Sequence, residues 1–350
     1  MNRRRFLPQS AALLAPPPAP TPGDLSLMRV SRRAMATTFE IALPDATPDA
    51  LAAAEAALDL VDELEQQLTV YRDSSDVSHL NRAAVGAPVE VNAGLFALLA
   101  HAATLSADTG GAFDPAAGSL IRAWAAARRE ERIPTPAELA AARGRAGVRH
   151  LILDAARMTV KFRVPGLLLN LGGIGKGYAL DRVADLLRSQ WGVRSALIQA
   201  GGSSVRAIGT PPGDPRGWLV AVRHPADDAR TVGAVYLNDQ ALGTSAATFQ
   251  FFEFGGRRYG HLLDPRTGLP AAGTACASVI VPTAAAADAL STAFFVLGEG
   301  GARDYLRARP DHAALVLGDG PGATPVLVNL PPGRYTPPGD RVQWPERPAD

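Results

Sequence analysis

Apolar and polar positions along this chain change period several times, and each change marks an element. "TTFEIAL" alternates as a strand, and "DALAAAEAALDLVDELEQQLTVY" then repeats its apolar residues at the spacing of a long amphipathic helix. Residues 93 to 108 and the segment "GSLIRAWAAARRE" keep that helical period and predict two further helices. "VRHLILDAARMTVKF" predicts a hairpin of two short strands that turns at Asp154 to Arg157. The apolar run Leu167 to Leu171 reads as a buried strand, and behind it Tyr178, Leu180, Val183, Ala184 and Leu187 recur at helical spacing.

Beyond that helix, "SALIQAGGSSVRAIG", "GWLVAVRHP", "TVGAVYLNDQALGTSA" and "TFQFFEFGGRRYGHLLD" alternate as strands joined by glycine-containing turns. Short turns between consecutive strands imply antiparallel pairing. "TACASVIVP" adds a strand and leads into the helix "AAAADALSTAFFVLG". A Gly/Pro-rich tail from Asn329 to Asp350 is expected to wander over the surface. The pattern gives an α+β fold, a mainly antiparallel sheet with packed helices. Residues 29–328 contain no clean linker and read as one globular unit, of two subdomains at most.

A chain of 350 residues with a net charge of +1 is long enough to bury a core and lacks the basic balance of a nucleic-acid binder. The single cysteine, Cys276, excludes an internal disulfide framework and any multi-cysteine metal site. Residues 1–28 read as a leader and Pro/Ala linker. Arg3, Arg4 and Arg5 precede Phe6, Leu7 and a short apolar segment, an order that resembles a twin-arginine export signal. Export would carry the chain to the periplasm; a basic tail on a cytoplasmic protein is the plainer alternative. No cysteine follows the segment for a lipid anchor, and no later apolar run is long enough to span a bilayer.

Four places could carry chemistry. The glycines of "NLGGIGKGYALD" stand where an apolar run meets a helix, a junction whose free N–H groups suit a phosphate oxygen or simply allow a tight turn. They fit neither phosphate fingerprint. Lys176 is followed by Gly177 rather than Ser or Thr, which rules out a P-loop, and Gly173, Gly175 and Gly177 alternate instead of following G-x-G-x-x-G. Asp288 and Thr292, four apart on a helix, point two hard oxygens from one face, as a Mg²⁺ site or a solvated or capping face would. His261 in "YGHLLDPRTGLP" is a candidate base or a turn cap. Asp114 in "GAFDPAAGSLIRAW" caps a helix beginning near Ala116 or holds a ligand at its start, and spacing favours the cap.

Taken in order, "MATTFEI", "LTVYRDSSDVSHLNR", "GAFDPAAGSLIRAW", "NLGGIGKGYALD", "GTSAATFQFFEFGGRRYGHLLDPRTG" and "ADALSTAFFVLG" resemble the ApbE-type FAD:protein FMN transferases from about Met35 to Gly298. The resemblance implies a Mg²⁺-dependent enzyme, with Mn²⁺ accepting similar ligands, that moves FMN from FAD to a Thr or Ser hydroxyl of an acceptor flavoprotein and releases AMP. It implies nucleotide contacts at Met35, Tyr71, Ala112, Phe113, Asp114, Asn170, Lys176 and Leu262. It also implies metal ligation by Asp288, Thr292 and the Gly173 carbonyl, and a base at His261. The alternatives are an FAD pyrophosphatase, a flavin-binding protein without chemistry, and a scaffold with a decayed site.

Three departures from the family pattern stand out. Asn170 replaces an aspartate, Ala36 replaces the glycine of M-G-T, and Ala246 and Ala247 replace a glycine-containing T-S-G turn. Small residues remain at the last three, so close backbone approach is expected to persist.

Overall fold

The computed structural model describes residues 26–246 and 251–338. The Arg3–Arg5 segment, Ala247 and the last part of the tail lie outside the described residues. The chain opens with β1 (Leu27–Ala34) and β2 (Thr37–Pro44), then α1 (Ala50–Leu68), α2 (Asp76–Ala83), β3 (Val89–Glu90) and α3 (Ala93–Asp108). Next come α4 (Gly118–Arg129), α5 (Pro136–Arg145), β4 (Leu151–Asp154), β5 (Thr159–Phe162), α6 (Gly175–Trp191), β6 (Ala196–Ala200) and β7 (Ser204–Ile208). After them run β8 (Trp218–His224), β9 (Asp227–Leu237), β10 (Ala241–Ala246), β11 (Phe251–Phe254), β12 (Arg257–Gly260), β13 (Leu263–Asp264) and β14 (Leu269–Pro270). The last elements are β15 (Thr274–Val281), α7 (Ala284–Leu306), β16 (Ala313–Gly318), β17 (Val326–Val328) and β18 (Tyr335–Thr336).

Eight strands form the central sheet in the order β1-β2-β6-β7-β10-β15-β16-β17, each pair antiparallel. The fold is therefore α+β with a large antiparallel sheet. Both of its faces are covered. On β16, Ala314 and Val316 face the helices, while Ala313, Leu315 and Leu317 join a second core with Trp218, Val220, Val235 and Leu237 of β8 and β9. Burial on two faces explains why strands such as "SALIQA" read as continuous apolar runs rather than alternating ones.

Several details differ from the sequence expectation. In the run Leu167–Leu171 only Leu167, Leu169 and Leu171 are buried, and it belongs to no sheet. The Asn81 side chain accepts from Leu169 N (2.7 Å) and donates to Leu169 O (3.0 Å), much as a neighbouring strand would, and Leu168 O accepts from Gly118 N (3.0 Å). The elements β1, α2, α5 and β16 lie outside that expectation. The tail is built in as far as β18, which pairs with β9, and Tyr335 donates to Val232 O at 2.9 Å. Ala246 closes β10 opposite Cys276 rather than making a turn.

Two backbone constraints position the groups around α7 and the β1–β2 hairpin. In the two-residue turn between β1 and β2, Met35 (φ 48°) and Ala36 (φ 59°) both take left-handed conformations, the geometry that favours Asn-Gly in such hairpins. The alanine at position 36 is thus strained, not neutral. The second constraint is a close approach. A Cβ added at Gly243 of β10 would lie 2.3 Å from the carbonyl carbon and oxygen of Ala287, so α7 rests backbone to backbone on the sheet.

Ala36→Gly should raise stability by roughly 0.5–1 kcal/mol, the relief of left-handed strain less the added entropy of the unfolded chain. Urea unfolding would measure it, and no gain would mean that the turn is not strained. Gly243→Ala should cost about 1–3 kcal/mol by forcing α7 off the sheet. An unchanged unfolding midpoint would show that α7 is not seated on β10 in solution.

Candidate active site

The first three turns of α7 are buried on nearly every side, because alanines 284–287, 289 and 293 leave room for neighbouring backbone. Within this stretch Asp288 is 5% exposed. Its Oδ1 accepts from Ser204 Oγ (2.7 Å) and its Oδ2 from Gly177 N (2.8 Å), while Lys176 Nζ stands 3.9 Å from Oδ2. Burial pushes the carboxyl above its ordinary value, and Lys176, Ser204 and the Gly177 amide oppose that shift. One turn on, Thr292 Oγ1 donates to Asp288 O at 3.2 Å and lies 3.3 Å from Ser245 Oγ, which is itself 3.0 Å from Ser291 Oγ.

The glycine segment folds toward these groups. Gly172 N donates to Asn170 Oδ1 (2.9 Å), and Ile174 N and Gly175 N both donate to Leu171 O, which turns the chain into α6. Among the described residues no acceptor meets the amides of Gly173 and Lys176. A Cβ at Gly173 would lie 3.3 Å from Phe113 Cε2 and 3.5 Å from Thr292 Oγ1, and one at Gly177 would lie 2.0 Å from Ala284 O. Glycine is required at Gly177 so that α6 can approach α7. Phe113, Gly173, Lys176, Asp288 and Thr292 are thus brought into one group.

Asp181, four residues after Gly177, is a site residue that sequence reasoning misses. Its two oxygens accept from Ala284 N (2.8 Å) and Ala285 N (2.9 Å), so it caps α7 from another helix. Arg206 of β7, itself buried, holds its Nε 3.5 Å from Asp181 Oδ1. Burial pushes the Asp181 carboxyl up to about 6, against the two amides and Arg206. A carboxylate bonded to backbone amides of a distant helix leaves no residue pattern to find, although the Gly177–Asp181 spacing does put both on one face of α6.

The remaining predicted residues occupy different surroundings. Ala112 is buried, and Asp114 accepts from Ala116 N (2.8 Å) and Val148 N (3.1 Å), with burial raising its pKa. Asp114 therefore clasps the loop before α4, and the helix starts at Gly118 rather than near Ala116. Asn170 N bonds Pro115 O at 2.8 Å, which joins this loop to the glycine segment. Met35 packs partly buried against the main core, and Tyr71 is 91% exposed.

His261 is exposed at the end of β12, and Leu262 packs against the main core that also contains Phe113. The next turn is closed by Asp264, whose carboxylate accepts from Arg266 N at 2.9 Å and whose carbonyl accepts from Gly268 N at 2.7 Å. A two-stranded ribbon such as β11–β12 is marginal alone. Here it is anchored through Trp124 of α4, whose ring lies 5.7 Å from Tyr259 and 6.5 Å from Phe252 and whose Nε1 donates to Gly268 O at 2.8 Å. Trp124 has no signal in the sequence beyond its place on an amphipathic helix.

The donor set suits a hard divalent cation. One carboxylate, one hydroxyl and a backbone carbonyl are all oxygen ligands, and Asp288 keeps lone pairs beyond the two hydrogen bonds it accepts. Among the described residues no three His, Cys, Asp or Glu side chains gather as a metal cluster, so such an ion would draw its other ligands from water or a bound anion. A cleft of about 590 Å³ lined by Arg194, Thr210, Asp214 and Asn238 shares no residue with this group, so concavity alone does not locate the chemistry.

Residues 35–317 match the model of the ApbE family. The chain is 35% identical over 280 residues to the FAD:protein FMN transferase of Treponema pallidum, covering 76% of this chain and 77% of that protein. It is 30% identical to the FAD:protein FMN transferase of Salmonella typhimurium, covering 78% and 80%. Among solved structures, the ApbE protein of Thermotoga maritima superposes with a TM-score of 0.77 at 29% identity, over 86% of this chain and 97% of that one. The flavin transferase ApbE of Vibrio cholerae gives 0.76 at 27% identity, over 87% and 96%. A family match over most of the chain and a relative at this identity make the protein a member of the ApbE family.

Proposed function

We propose that this chain is an FAD:protein FMN transferase, which moves FMN from FAD to a Thr or Ser hydroxyl of an acceptor flavoprotein and releases AMP. The observation that carries the reading is the buried Asp288 carboxylate beside Lys176, bonded to the Gly177 amide at the start of the glycine-led helix. In the proposed reaction the acceptor oxygen bonds to the phosphorus next to riboflavin. The bond from that phosphorus to the bridging oxygen breaks, and AMP leaves with that oxygen.

Within this reading each residue has a defined task. Asp288, Thr292 and the Gly173 carbonyl hold Mg²⁺, for which Mn²⁺ is an adequate substitute. When bound, such an ion acts as a Lewis acid and template at the pyrophosphate. Lys176 and the amides at the start of α6 bind phosphate oxygens, which suits the positive end of a helix dipole. The exposed ring of Tyr71 offers a flat face to a nucleotide ring, and Met35, Ala112, Phe113, Asn170 and Leu262 line the nucleotide, with Asp114 fixing the loop that carries Ala112 and Phe113. His261 takes the proton of the acceptor hydroxyl. Export to the periplasm is supported by the Arg3–Arg5 segment.

The test uses purified protein, FAD, Mg²⁺ and a Thr-containing acceptor, read by intact-protein mass spectrometry. The acceptor should gain one FMN residue, and EDTA should abolish the gain. Free FMN and AMP with an unmodified acceptor would identify a pyrophosphatase instead, and unchanged FAD that stays bound would identify a binding protein. His261→Ala should slow transfer by about 10²- to 10⁴-fold, the usual contribution of a general base. Asp288→Ala should lose metal and most activity; equal rates for this variant and wild type at limiting Mg²⁺ would sink the assignment.

A further inference from the structure

We propose that Asp181, held by Arg206, is a positioning residue for the metal site. It would set the register of α7 so that Asp288 and Thr292 present their oxygens together. The proposal rests on the reading of Asp288 and Thr292 as metal ligands.

Two elements, α6 and β7, each contribute one group to Asp288 and one to the cap, and α7 carries both targets, each pair at the repeat natural to its element. On α6, Gly177 N donates to Asp288 and Asp181, four residues on, caps Ala284 and Ala285. On β7, Ser204 donates to Asp288 and Arg206, two residues on and on the same face, pairs with Asp181. On α7 itself the capped amide of Ala284 and the Asp288 side chain are four residues apart. Cap and carboxylate are therefore one assembly read at two levels, a helical turn apart.

Asp181 does more than close a helix end. Thr283 already occupies the N-cap position and accepts from Ala286 N, at 3.4 Å, whereas Asp181 accepts two shorter, charge-assisted bonds from successive amides. The first turn of α7 is also where Gly177 approaches Ala284 O, so the cap and this close approach seat the same turn, and that turn leads directly to Asp288. Loss of the cap should therefore be felt one turn later, at the ligands.

The test measures Mn²⁺ binding to the full chain by electron paramagnetic resonance, with circular dichroism and thermal melting on the same samples. Asp181→Asn presents an amide donor to a backbone N–H; it should weaken Mn²⁺ binding roughly tenfold, the lower range for residues that orient metal ligands. Thr283→Ala, the other cap, should lower the melting temperature with little change in Mn²⁺ affinity. Asp181→Asn that is folded and binds Mn²⁺ as wild type does would overturn the proposal. If that variant does not fold, Arg206→Gln decides: weaker binding supports the proposal and unchanged affinity overturns it. Wild type that binds no Mn²⁺ would instead overturn the metal reading itself.

Discussion

A carboxylate buried on a helix surrounded by apolar packing has to be answered by donors, and the arrangement around Asp288 stems from that requirement. Burying a charge without partners is expensive, and breaking one side of a buried pair leaves the other uncompensated. Asp288 meets the demand with a hydroxyl, a backbone amide and a lysine drawn from β7 and α6. Those donors reach it because backbone meets backbone: glycine at 177 admits α6, and glycine at 243 admits the sheet. The alanine-rich first turns of α7 are the complementary half of the same condition, since a larger side chain there would hold the neighbouring elements apart.

The sheet makes this approach durable. With helices on one face and β8–β9 on the other, its central strands are dry on both sides. β7 can therefore point Ser204 and Arg206 into the helix layer while Val205 and Ala207 fill the opposite core. The alternation that gives a strand two faces here divides labour between stability and polar chemistry. The periphery is built differently. His261 comes after a ribbon whose order depends on Trp124 and a few aromatic contacts, so the part of the site nearest the solvent rests on the fewest buried groups.

Legibility in the sequence divides along the same line. The long helices, the β6–β7 hairpin and the α7 break at Gly298 (φ 68°) are legible because period and glycine placement are local. The Asp288–Thr292 pair is legible because four residues is a helical repeat. Asp181 is not, because its partners are amides of Ala284 and Ala285, which have no side-chain identity to recognise. The Leu167–Leu171 run misleads for a related reason. Its apolar pattern matches a strand, but Leu169 bonds the Asn81 side chain 88 residues away, and Leu168 and Asn170 bond backbone at the start of α4 and in the loop before it. Long-range satisfaction of backbone groups is where single-sequence reading loses power.

Asn170 can be understood through the bond it makes. Its Oδ1 accepts from Gly172 N and so starts the turn that delivers Gly173 toward Thr292. An aspartate oxygen would make the same bond, because this kind of turn needs an acceptor and not a charge. The local fold of the glycine segment is therefore indifferent to the exchange. The electrostatics are not. Asp288 and Lys176 already offset each other, and the amides of Gly173 and Lys176 have no acceptor among the described residues. A further negative charge at position 170 would oppose an anionic pyrophosphate at those amides, and would attract a cation placed between them. Asparagine removes both effects at once: under the proposed reading, phosphate at those amides would meet no repulsion from position 170, and a cation would have Asp288 as its carboxylate.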